Sequence, residues 1–353
     1  MRIFRDIREA DLPGPTFLTI GNFDGLHRGH QALLARLRQN ATAAGASSAL
    51  LTFHPHPLTV LRPGTPLDLL TTPEERLALA AELGIDVGII QPFTQELAQL
   101  TPRAFLELLI SHLGLAGLTV GPDFALGRNR AGTLDVLADL GRELGVALDV
   151  VQPVQVADEE VRSYTIRQAL RDGQVERVAG MLGRNYSVSG VVVEGDKRGR
   201  TIGIPTANLR VADDRLLPAD GVYATWVWIG EEPPLQTSPS AGSGQRPVSG
   251  EEAVSGEEAV SGELYLTGVT NIGMRPTVGG TERRVECHIF DFPPSGQSGD
   301  IYEKQVRLAF AQRLRAEQRF DNLDALIAQI QRDMAAARAI FQPLTNADNA
   351  DET

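Results

Sequence analysis

Two histidines three residues apart, His27 and His30, directly follow the apolar run Thr16-Phe17-Leu18-Thr19-Ile20 and the turn Gly21-Asn22-Phe23-Asp24-Gly25. A strand that turns through glycine into a helix leaves the first backbone N–H groups of that helix unpaired, and such groups favour a negative phosphate. Gly29 carries no side chain to hold a phosphate away, and two imidazoles can donate hydrogen bonds to charge developing on its oxygens. Gln31-Ala32-Leu33-Leu34-Ala35-Arg36-Leu37 continues with helical spacing, the context this chemistry requires. The pattern reads as a nucleotide-phosphate site; the plain alternative is a pair of surface turn histidines.

Five apolar runs (17–23, 48–53, 86–90, 118–121 and 147–151) alternate with helical patterns at 29–44, 73–83, 102–113 and 134–144. Strand and helix in alternation predict a parallel sheet with right-handed crossovers, whose ligands gather beyond the carboxyl ends of the strands. His27 and His30 follow the first strand, Phe53-His54-Pro55-His56-Pro57 ends the second, and Gly121-Pro122-Asp123-Phe124 follows a later one. Phe53, His56 and Asp123 thereby become candidates for the same ligand. A rigid proline loop and a turn-capping aspartate are their structural alternatives. Neither His54 nor His56 has a further His or Cys spaced to complete a metal site. Ser163 and Arg167, one turn apart at a second helix start, offer a hydroxyl and a guanidinium to phosphate oxygens, or simply a capped helix.

From Tyr186 the pattern changes to strands bounded by glycine and proline, such as Gly221-Val222-Tyr223-Ala224-Thr225-Trp226-Val227-Trp228-Ile229, with no helix before 322–340. A small antiparallel barrel with one closing helix is the expected outcome. No Gly-x-x-x-x-Gly-Lys-Ser/Thr loop occurs, so a kinase here is not of the P-loop type. Gly195, Gly199 and Gly203 with Lys197, Arg198 and Arg200 form a basic, glycine-rich flap able to lie over phosphates, or a charged surface hairpin. Thr206 and Asn208, two apart on an extended segment, share a face and offer hard oxygen ligands to Mg²⁺. Glu286 and His288 share a strand face opposite Val285, Cys287 and Ile289. Glu286 is the candidate general base, with a cross-strand ion pair as its alternative, and Cys287 reads as a buried thiol.

The chain has 353 residues, more than one hydrophobic core usually organises. The boundaries expected are 1–183 for the sheet domain, 184–342 for the barrel domain and 343–353 for a disordered tail. Net charge is −12, but 231–263 contributes −6 and the tail −3, so acidity gathers in segments not expected to fold. That balance argues against a nucleic-acid binder, which needs a basic face. Within 231–262, units such as Val248-Ser249-Gly250-Glu251-Glu252-Ala253 repeat every six residues, and the Gly, Ser, Pro and Glu content predicts a disordered insert. One cysteine and no run of eighteen apolar residues predict a cytoplasmic protein that does not engage membranes.

The series Gly-x-Phe-Asp-Gly-x-His-x-Gly-His at 21–30, Phe53-His54-Pro55-His56-Pro57, Gly121-Pro122-Asp123-Phe124 and Ser163-x-x-Ile166-Arg167 resembles the adenylyltransferase module of the bifunctional bacterial riboflavin kinases and FMN adenylyltransferases. The second half resembles the kinase module of that family around Pro205-Thr206-Ala207-Asn208, Gly268 to Thr277 and Val285 to Phe292. The likeness implies an α/β chain: an N-terminal parallel-sheet nucleotidyltransferase domain, then a riboflavin-kinase β-barrel. It implies two reactions, riboflavin plus ATP giving FMN plus ADP in the barrel, and FMN plus ATP giving FAD plus pyrophosphate in the sheet domain.

In the sheet domain the resemblance assigns catalysis to His27 and His30, nucleotide contacts to Gly21, Asn22, Phe23, Asp24, Gly29, Ser163 and Arg167, and flavin contacts to Phe53, His56 and Asp123. Mg²⁺ with Arg167 would hold the departing pyrophosphate. In the barrel it assigns nucleotide contacts to Gly195, Lys197, Gly199, Arg200, Gly203, Pro205, Thr206 and Asn208, with Mg²⁺ on Thr206 and Asn208. Glu286 would take the proton of the ribityl 5′-hydroxyl. Asn271, Arg315 and Phe320 would contact the flavin, or Phe320 would seat the last helix.

Three features depart from the family pattern. Arg162-Ser163-Tyr164 stands where two small hydroxyl residues are usual, Tyr302-Glu303 replaces Tyr-Gly, and the insert 231–262 stands where a short hairpin would serve. Other functional readings are adenylyl transfer to a different acceptor, such as a pantetheine or nicotinate nucleotide, and a flavin or nucleotide sensor without turnover.

Overall fold

In the computed structural model, which describes residues 1–12, 14–156, 159–195, 199, 202–230, 266–277, 280–292 and 300–341, the chain divides into two compact units, Met1–Ile166 and Arg167–Thr353. The boundary expected from sequence, at 183/184, lies seventeen residues further along, beyond the helices α7 (Ser163–Arg171) and α8 (Val175–Leu182). The insert 231–262, the tail from 343, Lys197, Arg198 and Arg200 lie outside the described residues.

The first unit is built on six parallel strands, β1 (Arg2–Phe4), β2 (Thr16–Ile20), β3 (Ser47–His54), β4 (Val87–Pro92), β5 (Leu115–Val120) and β6 (Ala147–Val150). Their order is β1-β4-β3-β2-β5-β6. Five of them were legible as apolar runs. The sixth, β1, is a three-residue edge strand whose residues stay largely exposed, so no apolar pattern announces it. β2 ends at Ile20 rather than Phe23, because Phe23 takes φ +49° and leaves the sheet.

Helices cover the sheet where their starts and stops predict. α1 (Arg28–Ala43) buries Leu33, Leu34, Leu37 and Ala41, one face at helical spacing. The short α2 (Pro57–Leu61) follows β3, and α3 (Pro73–Glu82) starts at a reciprocal capping box between Thr72 and Glu75 with Pro73 in its first turn. The single turn α4 (Gln95–Ala98) precedes α5 (Pro102–Leu113), capped by Thr101 and stopped by left-handed Gly114, and α6 (Leu134–Leu144) leads into β6. Leu18, Ala49, Leu51, Val87 and Ile89 from the strands meet Phe105, Leu109 and Leu113 in one core.

Chain order reverses at β2, whose neighbours are β3 on one side and β5 on the other. A crevice opens beyond the carboxyl ends of strands at such a switch point. The turn after β2 carries His27 and His30, and the loop after β5 carries 121–127. A two-stranded β-ribbon, β7 (Gln155–Val156) with β8 (Glu159–Glu160), lies just before Ser163.

The second unit is a closed antiparallel barrel of β9 (Tyr186–Val193), β10 (Ala207–Val211), β11 (Gly221–Ile229), β12 (Leu266–Thr277), β13 (Gly280–Ile289) and β14 (Gln305–Ala316), ordered β10-β13-β12-β11-β14-β9. The closing helix, α9 (Leu323–Phe341), falls one residue from its expected span. Val222, Trp226 and Trp228 pack with Ala337 and Phe341 of α9, the Trp226 and Phe341 rings 4.5 Å apart. β11 is therefore covered on both faces and shows no alternation, whereas β9 alternates buried and half-buried residues throughout. No helix among the described residues is long and apolar enough to cross a membrane.

Candidate active sites

A cavity of about 720 Å³ occupies the crevice of the first unit. Of the residues singled out from sequence, Gly21, Asn22, Phe23, His27, Gly29, His30, Phe53, Asp123 and Ser163 line it. One side is polar, built from the histidine turn and the start of α7. The other is apolar and aromatic, with Phe53 and Phe93 edge-to-face at 5.3 Å and Leu61, Leu97, Phe105 and Phe124 around them.

His27 is the N-cap of α1, where Ser, Thr, Asp or Asn is usual. Its Nδ1 accepts the His30 backbone N–H at 3.4 Å, which puts the proton of the neutral ring on Nε2. The two imidazoles stack, centroids 3.7 Å apart and planes 17° from parallel, and Phe23 meets His30 edge-on at 5.1 Å. Burial first, then His27 and Arg76, holds His30 well below the ordinary imidazole range. At neutral pH His30 is an uncharged imidazole whose Nδ1 is sealed from solvent and meets no hydrogen-bond partner among the described residues. A Cβ on Gly29 would stand 3.1 Å from the His27 ring, so glycine is what lets the turn pass this close.

Three residues grouped with the ligand by sequence, Asp24, His56 and Arg167, are not among those that line the cavity. Asp24 turns away from the cavity into the protein, 2% exposed, where it accepts the backbone N–H groups of Leu70 and Thr71 at 3.0 Å and pairs with Arg76 at 3.2 Å. His56 caps α2, its Nδ1 accepting the Leu58 N–H at 3.1 Å, and is not among the cavity residues. For Asp24 the left-handed backbone on either side, at Phe23 and Leu26, goes with partners from a distant segment, Leu70, Thr71 and Arg76. Ser163 donates its hydroxyl to the Asp24 carbonyl oxygen at 2.8 Å, tying the start of α7 to the histidine turn. Arg162 bonds Glu160 at 2.9 Å and Asp123 at 3.3 Å, so its charge is shared at the rim. Arg167 belongs to the second unit.

In the barrel, register does the gathering. Asn208 on β10 lies opposite Glu286 on β13, Glu286 opposite Asn271 on β12, Asn271 opposite Val222 on β11, and Val222 opposite Arg315 on β14. Side chains directly opposite one another share a face with Cβ atoms about 5 Å apart, so residues spread over 108 positions form one line. Alternate positions Leu209, Val285, Cys287 and Ile272 are buried. Burial pushes the Cys287 thiol up to about 11, as fits a packing residue.

Gly195 and Gly199 approach the Asn208 end of that line. A Cβ on Gly195 would fall 2.7 Å from Asn208 Oδ1, and one on Gly199 would run into the Ile204 carbonyl and reach 3.5 Å from Thr206 Oγ1. The two glycines thus keep open a cradle beside an amide and a hydroxyl oxygen, hard donors that suit Mg²⁺. His288, on the Glu286 face, donates from Nδ1 to the Pro205 carbonyl at 2.7 Å and so holds the segment leading to Thr206. At the other end Arg315 lies under Phe320 at 5.7 Å and is fastened to Asp333 of α9. Glu303 has φ +63°, so the left-handed position usually given to glycine is here taken by glutamate.

Sequence reading missed Arg76, Thr71 and Asp333. A signal for Arg76 existed, since it sits on the apolar face of α3 beside Leu77 and Ala80.

Comparisons with known proteins follow the same division. A family model described as FAD synthetase matches residues 10–165 and one described as riboflavin kinase matches 182–341. The bifunctional riboflavin kinase/FMN adenylyltransferase of Escherichia coli K12 is 35% identical over 325 residues, 92% of either chain. That of Bacillus subtilis is 32% identical over 93% of either chain. A solved structure described as a macrolide-efflux protein from Streptococcus pneumoniae superposes with a TM-score of 0.78 at 27% identity, over 95% of this chain and 98% of that one. Two units, each matched by its own family model, and relatives 32–35% identical over 92–93% of either chain place this chain in the bifunctional riboflavin kinase/FMN adenylyltransferase family.

Proposed function

We propose that the barrel converts riboflavin and ATP to FMN and ADP, and that the sheet domain converts FMN and ATP to FAD and pyrophosphate. ATP is common to both families of reaction. The observation that carries the second step is the stacked His27–His30 pair at the start of α1, His27 buried and His30 half-buried, facing a cavity with one phosphate-like and one aromatic side.

There the FMN phosphate oxygen attacks the α-phosphorus of ATP, a new P–O bond forms, and pyrophosphate leaves with the electron pair of the bond that breaks. His27, with its proton on Nε2, and neutral His30 donate to the charge that develops on the α-phosphate oxygens. The first N–H groups of α1 bind phosphate oxygen, with Gly29 allowing the approach. Phe53 and Asp123 belong to the flavin side. Asp24 and Ser163 act by shaping the turn.

In the barrel Glu286 takes the proton of the ribityl 5′-hydroxyl as its oxygen attacks the γ-phosphorus and ADP leaves. Thr206 and Asn208 would hold Mg²⁺, which supplies charge neutralisation to the phosphates when bound. Asn271, next in the row, and Phe320 face the flavin side.

The test is product analysis by chromatography after incubating the pure protein with ATP, Mg²⁺ and either riboflavin or FMN. His30→Ala is expected to abolish FAD and leave FMN formation intact, and Glu286→Gln to do the reverse. Equal loss of both products from either substitution would refute separate sites.

A further inference from the structure

Asp24, Thr71 and Arg76 are buried, and none of them borders the cavity. Arg76 Nη2 donates to the Thr71 carbonyl at 2.9 Å and lies 3.2 Å from Asp24 Oδ1, and its Nε donates to Thr71 Oγ1 at 3.2 Å. Thr71 Oγ1 in turn accepts the Gly25 backbone N–H at 2.8 Å. On the other side Arg76 Nη1 reaches Thr52 Oγ1 at 3.4 Å, and that hydroxyl donates to the Asn22 carbonyl at 3.0 Å. One guanidinium therefore grips both ends of the turn from Asn22 to Gly25.

That turn is not a conformation the chain adopts by default. Phe23 and Leu26 hold φ +49° and +40°, a region in which side chains with a Cβ are disfavoured, and Gly25 holds +84°. Backbone of this kind persists only where its surroundings over-determine it. The turn aims Phe23, whose ring meets His30, and ends at His27, whose Nδ1 receives the His30 N–H.

We propose that Arg76 is a positioning residue for adenylyl transfer: through Asp24 and Thr71 it clamps the left-handed turn that sets the two imidazoles at their stacked separation. The inference rests on the adenylyl-transfer reading of this cavity. Arg76 does not line that cavity; its planar, multiply donating fork serves four acceptor atoms on three segments, at Asp24, Thr52 and Thr71, which a lysine ammonium cannot match in geometry.

The experiment uses the full chain with Mg²⁺ and measures FAD formation from FMN and ATP beside FMN formation from riboflavin in the same preparation. Arg76→Met is expected to lower kcat for FAD about 100-fold, the scale of a misplacement near 1 Å, with KM for FMN and ATP changed by less than about threefold. Arg76→Lys should recover about tenfold of that loss, and FMN formation should not change in either. Thr71→Val, nearly isosteric, removes the hydroxyl through which Arg76 Nε and Asp24 reach the Gly25 N–H and should lower kcat for FAD about fivefold. If Arg76→Met loses the circular dichroism of the first unit, Thr71→Val decides alone. An unchanged kcat in Thr71→Val, or in folded Arg76→Met, overturns the proposal, as does a rise in KM with kcat intact. Failure of the parent chain to make FAD is a separate result and overturns the reading beneath it.

Discussion

Asp333→Ala should loosen the closing helix from the barrel by an amount the structure sets. The Asp333 carboxylate is buried, its side chain 7% exposed, and it accepts from Arg315 Nε at 3.0 Å, Arg315 Nη2 at 2.8 Å and Gln329 Nε2 at 2.8 Å. Removing it strands a guanidinium whose side chain is only 19% exposed. Breaking a buried pair costs about 3–5 kcal/mol, and the residual hydration of Arg315 brings this to about 2–3 kcal/mol. For a unit of this size that is a fall of about 5–10 °C in Tm. The chain has two tryptophans, Trp226 and Trp228, and both lie in the layer under α9, so tryptophan fluorescence follows this unit. Arg315→Met with Asp333→Leu removes both charges and should recover most of the loss. A shift below about 2 °C for Asp333→Ala, or a double variant as unstable as the single one, would refute the reasoning.

Three further outcomes follow from positions already described. His30 has a folded-state pKa below the ordinary value of about 6.5, so the unfolded chain binds a proton that the folded site refuses. Stability of the first unit should be level above that value and fall as pH drops through it towards the folded pKa, read by urea unfolding with circular dichroism; His30→Gln should flatten the dependence. Glu303→Gly relieves a left-handed φ and should raise stability by about 0.5–1 kcal/mol in fluorescence-monitored urea unfolding. Gly195→Ala should displace the Asn208 amide and cut FMN formation about tenfold while FAD formation from FMN holds, measured by initial rates on each substrate.

Most of the architecture was legible because burial leaves a period in the chain. Helix α5 runs from Thr101-Pro102 to Gly114, a cap, a start and a stop that local chemistry alone dictates. The strand β1 was not legible, since a short exposed edge carries no period. Nor was the burial of β11 on both faces, which depends on where α9 lies.

At the sites the limits were sharper. The stacking of His27 on His30 was implicit in their spacing at a helix start. The inward turn of Asp24 was not, because it depends on the signs of φ at Phe23 and Leu26 and on an arginine fifty-two residues away. The chain order alone determined which chemical groups exist and which repeat with the period of a helix or a strand, since those properties depend only on neighbours. Tertiary structure decided which of them meet: Asn208, Glu286 and Asn271 become a row only through strand register, and Arg76 reaches Asp24 only once α3 lies under the histidine turn. Contact between distant residues is a property of closed loops and shared burial, and no local pattern encodes it.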